Sequence, residues 1–207
     1  RERQGIEEKI QKQAFEQVML LPKDQAIYGH VLAHKDWHPG VVGIVASRIA
    51  EKTYRPAIVI ALDDHGIGKG SARSIPGIDL LRAIEACQSF LLGFGGHHAA
   101  AGLTIEQGQL PSFTAAFNRF LQENTPEEVF QMALLFDAQT QITDFPLETV
   151  YQLERLQPFG RGNPEPVFVF ENVRVAEHRI LKEKHLKCHL ADLDGNTLEA
   201  IAFNVFL

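Results

Sequence analysis

The sequence predicts an α/β protein in two parts: a layered domain on a mixed sheet, then a small, incomplete antiparallel β-barrel. Three observations carry this. Strand-like and helix-like patterns alternate over residues 25–122, as α/β layering requires. The stretch "QPFGRGNPEPVF" then interrupts all periodicity with three prolines and two glycines. Beyond it, "VFVFENVRVAEHRIL", "HLKCHLADL" and "TLEAIAFNVFL" are strand-like runs, with a turn at Asp194-Gly195-Asn196.

In chain order, "RERQGIEEKIQKQAFEQVML" places Ile6, Ile10, Ala14 and Val18 on one helical face, with Phe15 beside them. No Met and no capping residue opens it, so the helix reads as entered midway, in a fragment of something longer. Pro22 and Asp24 punctuate, and "AIYGHVLAHK" follows as a strand. "HPGVVGIVASRIAEKT" is expected as a helix whose first turn holds Pro39 and which runs to about Lys52. "RPAIVIAL" has the continuous apolar character of a fully buried strand. "DDHGIGKG" reads as a turn and "GSARSI" as the strand leaving it. "IDLLRAIEACQSFLL" sets Leu80, Ile84, Cys87 and Leu91 on one helical face. After the glycine stretch, "HHAAAG" is expected as a short helix, "AGLTI" as a strand and "LPSFTAAFNRFLQEN" as an amphipathic helix. "ALLFDAQTQI" and "PLETVYQLERL" follow as strand and helix, and the last strand pattern is still running at Leu207.

Composition narrows the function classes. A chain of 207 residues, 45% hydrophobic and 22% charged, is ordinary for a soluble globular protein. It contains no apolar run of membrane-spanning length and no signal-peptide pattern. Cys87 and Cys188 form no recognisable framework, which favours a reduced, cytoplasmic setting. The formal charge of −6 argues against a generally basic nucleic-acid binder. The charge is uneven, however: residues 120–154 hold seven acids and no Lys or Arg, so a phosphate-binding face elsewhere remains open.

The chemical candidates begin with "GFGGHHAAAGL". A metal site needs ligands converging from several segments, and no carboxylate or CxxC accompanies His97 and His98. Gly95 and Gly96 would let backbone N–H groups approach an anion, with one histidine donating to a phosphate oxygen. A plain glycine turn before a buried helix is the equally weighted alternative. In "GKGSARS", Ser71 and Arg73 point the same way on a strand, a hydroxyl and a guanidinium suited to a terminal phosphate. The stretch is not a Walker loop, because Gly70 follows Lys69 where Ser or Thr is required. In "HKDWHPG", His38 and the Gly40 amide could line an anion site at a helix start, while Trp37 reads as packing. "HLKCH" is rejected for zinc: on a strand, His185 and His189 stand far apart and Cys188 faces away. Arg174, Arg179, Lys182, Lys184 and Lys187 form a modest basic cluster, either a solvated β surface or a nucleic-acid path.

Taken together, "WHPGVVGIVASRI", "GKGSARSI", "GFGGHHAAAGL", "PFGRGNPEPVF" and "HLKCHLADL…AIAFN" resemble, in that order, the C-terminal half of the RecJ family. These are bacterial single-strand-specific 5′→3′ DNA exonucleases of the DHH phosphoesterase superfamily. The GGHxxAAG pattern, Gly95 to Gly102, marks the DHH-associated domain; the linker and the OB-like barrel narrow the match. The resemblance implies a connecting helix at 1–22, a DHH-associated substrate domain at 23–124, a connecting segment at 125–163 and a partial OB domain at 164–207. It implies that Ser71 and Arg73 hold a DNA 5′-phosphate, with Gly95, Gly96 and His97 facing the scissile region. His38 joins this binding set, and Arg161, Arg174, Arg179, Lys184 and Lys187 would line the strand's path. Two Mn²⁺ or Mg²⁺ ions would be held by an N-terminal catalytic domain outside this sequence, leaving the fragment itself without metal or catalytic residues. The implied partners are single-stranded DNA with a 5′ end and that domain in cis, with room for a single-stranded-DNA-binding protein or a helicase, and no membrane. Three rival readings are a DHH-family small-nucleotide phosphodiesterase, an aminoacyl-tRNA-editing relative, and a protein-interaction module docking through the acidic segment.

Overall fold

The computed structural model describes residues 2–21 and 27–205, and the punctuation expected at Pro22 and Asp24 lies outside them. The chain packs as two compact units, residues 1–132 and 133–207.

The first unit is a five-stranded mixed sheet in the order β1-β2-β3-β5-β4. Strand β1 (His30–His34) pairs in parallel with β2 (Ala57–Leu62), and helix α2 (Val42–Thr53) makes the crossover between them. Strand β3 (Ile67–Arg73) returns antiparallel to β2, then pairs with β5 (Ala100–Glu106), which pairs with the edge strand β4 (Leu91–His97). The buried run Ala57–Ala61 alternates its side chains between two cores. Ile58 and Ile60 enter the cluster under α3 (Leu80–Glu85) and α4 (Leu110–Asn124). Ala57, Val59 and Ala61 enter the cluster under α1 (Glu2–Leu20) and α2. Helix α4 seals its side with Phe113, Phe117 and Leu121 at four-residue intervals, each fully buried and each contributing about 2 kcal/mol.

Several expectations are corrected. Residues 39–41 are a turn rather than a helix start, because the Gly40 N–H donates to His38 Nδ1 and the Val41 N–H to the His38 carbonyl; α2 begins at Val42. The turn in "DDHGIGKG" stops at Gly66, and Ile67 already belongs to β3. The helix expected through Leu91 ends at Glu85; after a short 3-10 turn at Gln88–Phe90, Leu91 opens β4. Most importantly, "HHAAAG" is not a helix. Residues 91–106 form a β-hairpin with its tip near His98 and Ala99.

The second unit holds α5 (Leu147–Glu154), a short pair β6 (Ala138–Thr140) and β7 (Phe168–Phe170), and a sheet of β8 (Arg174–Leu181), β9 (His185–Ala191) and β10 (Thr197–Ala202). The sheet is antiparallel in the order β10-β9-β8, whereas β6 and β7 pair in parallel. Phe145 bridges that pair, its ring 4.9 Å from Phe168 and 5.4 Å from Phe170. The strand expected over "ALLFDAQTQI" shrinks to Ala138–Thr140, and the run before Leu181 splits at Asn172, whose φ is +56°. The last strand ends at Ala202 and a turn follows it. Among the described residues no closed barrel forms.

Candidate nucleic-acid interface

In an antiparallel ladder, directly opposed residues point to the same face. The registers of β3, β5 and β4 therefore define three rows on the face that α2 partly covers. Arg73, Ala100 and His97 form one; Ser71, Gly102 and Gly95 form the next; Lys69, Thr104 and Gly93 form the third. Ser71, Arg73, Gly95 and His97, picked out separately in the sequence, thus share one surface, with Arg73 and His97 roughly 10 Å apart across two strand spacings. Gly96 opposes Ala101, whose side chain is in the core, so it serves the hairpin backbone instead. Its φ is +156°, and a Cβ there would collide with the Ala100 carbonyl oxygen and Ala101 Cα.

Arg73 Nη1 donates to Ser71 Oγ at 2.9 Å and to the Ala72 carbonyl at 2.8 Å, which holds the guanidinium flat along the strand. Helix α2 meets this pair at Gly43, where a Cβ would stand 3.1 Å from both Arg73 Nη2 and Ser71 Oγ. A Cβ there would press these two side-chain ends back by a few tenths of an ångström, so the glycine lets the helix sit close to the pair. Beyond this contact the shelf is open: Gly93, Gly95, Gly102 and His97 are exposed, and nothing lies within 4 Å of a Cβ built at Gly93 or Gly95. The hairpin tip is fixed from below, since the Ser74 N–H donates to the Ala99 carbonyl and the Leu80 N–H to the His98 carbonyl, both at 2.9 Å. His97 Nδ1 accepts the Ala99 N–H at 3.3 Å, and the His97 and His98 rings meet edge-on at 5.5 Å. His38 is exposed in the turn before α2, off the rows, with Nδ1 occupied by the Gly40 amide.

The other basic residues lie in the second unit. Arg179 opposes Lys187 and Arg174 opposes Ala191, so Arg174, Arg179 and Lys187 occupy one face of the three-stranded sheet. Lys187 Nζ is bound to Glu199 at 2.7 Å, and His189 stands between Glu177 and Glu199 at 3.6 and 3.5 Å. The Lys187 hydrogen bond, foremost, holds the Glu199 carboxyl below its ordinary range. Lys184 sits at the β8–β9 hairpin and Arg161 in the exposed turn before β7. Cys188 lies opposite His178, on the face away from His185 and His189. Among the described residues no three His, Cys, Asp or Glu side chains are grouped to hold a metal ion. None of the described helices is long and apolar enough to cross a membrane.

Sequence reasoning missed Lys69, Thr104, Gly102 and Gly43 as members of the site. The period of two that links Ser71 to Arg73 reaches Lys69 as well, but the other three emerge only from strand register and helix docking.

Comparison with known proteins places this geometry in a family. A DHHA1 domain model matches residues 23–123, and a RecJ OB domain model matches residues 136–206. The chain is 35% identical over 207 residues to the single-stranded-DNA-specific exonuclease RecJ of Bacillus subtilis, covering 99% of this chain and 26% of that protein. It is 38% identical over 185 residues to the RecJ of Haemophilus influenzae, covering 86% of this chain and 32% of that one. Among solved structures, RecJ of Thermus thermophilus in complex with Mg²⁺ superimposes with a TM-score of 0.69 at 29% identity, over 98% of this chain and 35% of that one. The Mn²⁺ complex gives 0.68 at 34% identity, over 96% and 28%. The chain thus spans about a quarter to a third of the length of its curated relatives. Carrying a DHHA1 domain followed by a RecJ OB domain, it belongs to the RecJ family.

Proposed function

We propose that this chain is the substrate-holding part of a single-strand-specific 5′→3′ DNA exonuclease. The observation that carries the reading is the shared face of Ser71, Arg73, Gly95 and His97, with Gly95 and His97 exposed and Ser71 and Arg73 half-buried beside the start of α2. Arg73 offers a guanidinium already oriented by Ser71, and the pair would take the terminal 5′-phosphate through charge-assisted hydrogen bonds. The next phosphodiester would then lie over Gly95, where no side chain keeps the strand from the sheet, with His97 as a donor at its flank. His38 would border the same site from the turn before α2. In this reading residues 1–22 lead in from a catalytic domain, 23–124 hold the DNA end, 125–163 connect, and 164–207 guide the strand past Arg161, Arg174, Arg179, Lys184 and Lys187. The relatives crystallised with Mg²⁺ or Mn²⁺ support divalent-ion chemistry for the family; such ions activate water for phosphodiester hydrolysis. The described residues of this chain do not fit that role and would position the scissile bond instead. A cytoplasmic, bacterial setting in DNA repair and recombination accords with this reading, with single-stranded-DNA-binding proteins or helicases as its partners.

The test is fluorescence anisotropy of the chain with a 3′-labelled single strand, 5′-phosphorylated against 5′-hydroxyl. The phosphorylated strand should bind more tightly, and Arg73→Ala should erase the difference, costing about 10-fold or more. Equal affinity for the two ends would refute end-holding.

A further inference from the structure

The third row of the shelf repeats the chemistry of the first two. Around the proposed end site stand a cation, a hydroxyl and a bare glycine: Arg73, Ser71 and Gly95. One rung along the strands stand another cation, another hydroxyl and another bare glycine: Lys69, Thr104 and Gly93. Lys69 directly opposes Thr104, and Thr104 directly opposes Gly93, so the three lie side by side. Lys69 and Gly93 are exposed and Thr104 is half-buried. Nothing in the unit accounts for Gly93 as glycine, because no atom lies within 4 Å of the position its Cβ would take. Successive rungs are about 6.7 Å apart, a spacing close to that of consecutive phosphates on an extended single strand.

We propose that Lys69 and Thr104 form a second phosphate subsite, so that the nucleic-acid backbone runs along β3 and β5 from the end held at Arg73. The inference rests on the end-holding reading. The subsite would recognise a phosphodiester by charge and one hydroxyl donor, with no base readout. It would also fix the direction of the strand: from its 5′ end the backbone passes over the Ser71–Gly95 row and then the Lys69–Gly93 row, rather than leaving the sheet at the His97 end. Lys69 is a binding residue here, and it acts only on ligands long enough to reach it.

The experiment uses the chain with two probes, thymidine 5′-monophosphate and a short 5′-phosphorylated oligothymidylate, over a range of salt. Lys69→Ala should weaken the oligonucleotide several-fold and lower the slope of log affinity against log salt by about 0.7, the contribution of one single-strand phosphate. It should leave the monophosphate unchanged. Thr104→Val should give a smaller loss with the salt slope intact, and Lys12→Ala, an exposed lysine on α1, should change neither probe. Arg73→Ala should weaken both probes. An unchanged oligonucleotide affinity and salt slope in Lys69→Ala, with Arg73→Ala still erasing the 5′-phosphate preference, would overturn the second subsite and leave end-holding standing. An equal loss of both probes in Lys69→Ala would also overturn it, placing Lys69 in the end site. Failure of the chain to bind either probe would overturn both readings. Circular dichroism and the fluorescence of Trp37 keep misfolding from passing as lost binding.

Discussion

His30 makes the first unit sensitive to acid. It lies in β1 at 5% exposure, and its Nδ1 has no hydrogen-bond partner. Burial, and secondarily the nearby positive charge of Arg55, lower its pKa from 6.5 to about 4. Arg55 cannot retreat, because it is held by the carbonyls of Ile27, Tyr54 and Phe130 and lies over the Phe130 ring. The sign follows from linkage. Well above pH 6.5 the side chain is neutral in both folded and unfolded chains and contributes no pH dependence. As pH falls from 6.5 towards 4, the unfolded chain takes up a proton that the fold refuses, and stability drops. The gap between 6.5 and about 4 corresponds to about 3 kcal/mol, a large fraction of a domain's total stability. Urea unfolding followed through Trp37 reads this unit specifically: it is the single tryptophan, 3% exposed, with its indole N–H on Gln13 Oε1 at 3.0 Å. Between neutral pH and about pH 4.5, the wild-type chain should lose about 2–3 kcal/mol more than His30→Leu. Parallel curves for the two would refute the argument, since the fold would then accept the proton as readily as water does.

Other expectations follow from single contacts. Asn118 accepts the N–H groups of Tyr28 and Gly29 and donates to the Gly29 carbonyl, so Asn118→Ala should cost about 2–3 kcal/mol in chemical denaturation, by stranding two backbone donors. Gly43→Ala should leave thermal stability within about 1 kcal/mol of wild type, because better helix propensity offsets the crowding. It should nevertheless weaken binding of 5′-phosphorylated strands, by displacing Arg73 and Ser71. Glu199→Gln releases Lys187 from its 2.7 Å partner and should raise single-strand affinity in anisotropy measurements at low salt. Cys87, buried with its thiol pushed up to about 11, should resist alkylation at neutral pH until the unit unfolds.

What the sequence revealed follows from which signals are periodic. The buried β2 run, the amphipathic α2 and α4, and the strand carrying Ser71 and Arg73 were legible because apolar residues repeat at two or near four. Helix α3 was overextended because Leu91 and Leu92 continue a helical apolar spacing while belonging to an edge strand. The hairpin at residues 91–106 was hidden for a different reason. Glycine carries no side chain, so "GFGGHHAAAGL" has no alternation to read, and its pairing partner is visible only through the ladder. Candidate residues could be named one at a time. Their convergence could not, since it depends on β3 and β4 both pairing with β5 in one register.

The two faces of β5 argue what the open shelf is for. Ala101, Leu103 and Ile105 are buried under the helices on one side, while Ala100, Gly102 and Thr104 face the shelf on the other. An uncovered sheet usually carries polar or β-branched side chains, because each strand glycine costs about 0.5–1 kcal/mol relative to alanine. Gly93 and Gly95 bear that cost with no packing in this unit to offset it. What requires them to be small must therefore come from outside the unit, either a nucleic-acid strand or another protein surface. Gly95→Ala separates these. Its folded stability should equal or slightly exceed wild type, unlike Gly96→Ala, which should lose about 2 kcal/mol or more to backbone strain and collision. If the strand lies on the shelf, Gly95→Ala will weaken single-strand binding by the isolated chain at full stability. If the shelf serves a protein surface, the isolated chain will bind DNA unchanged.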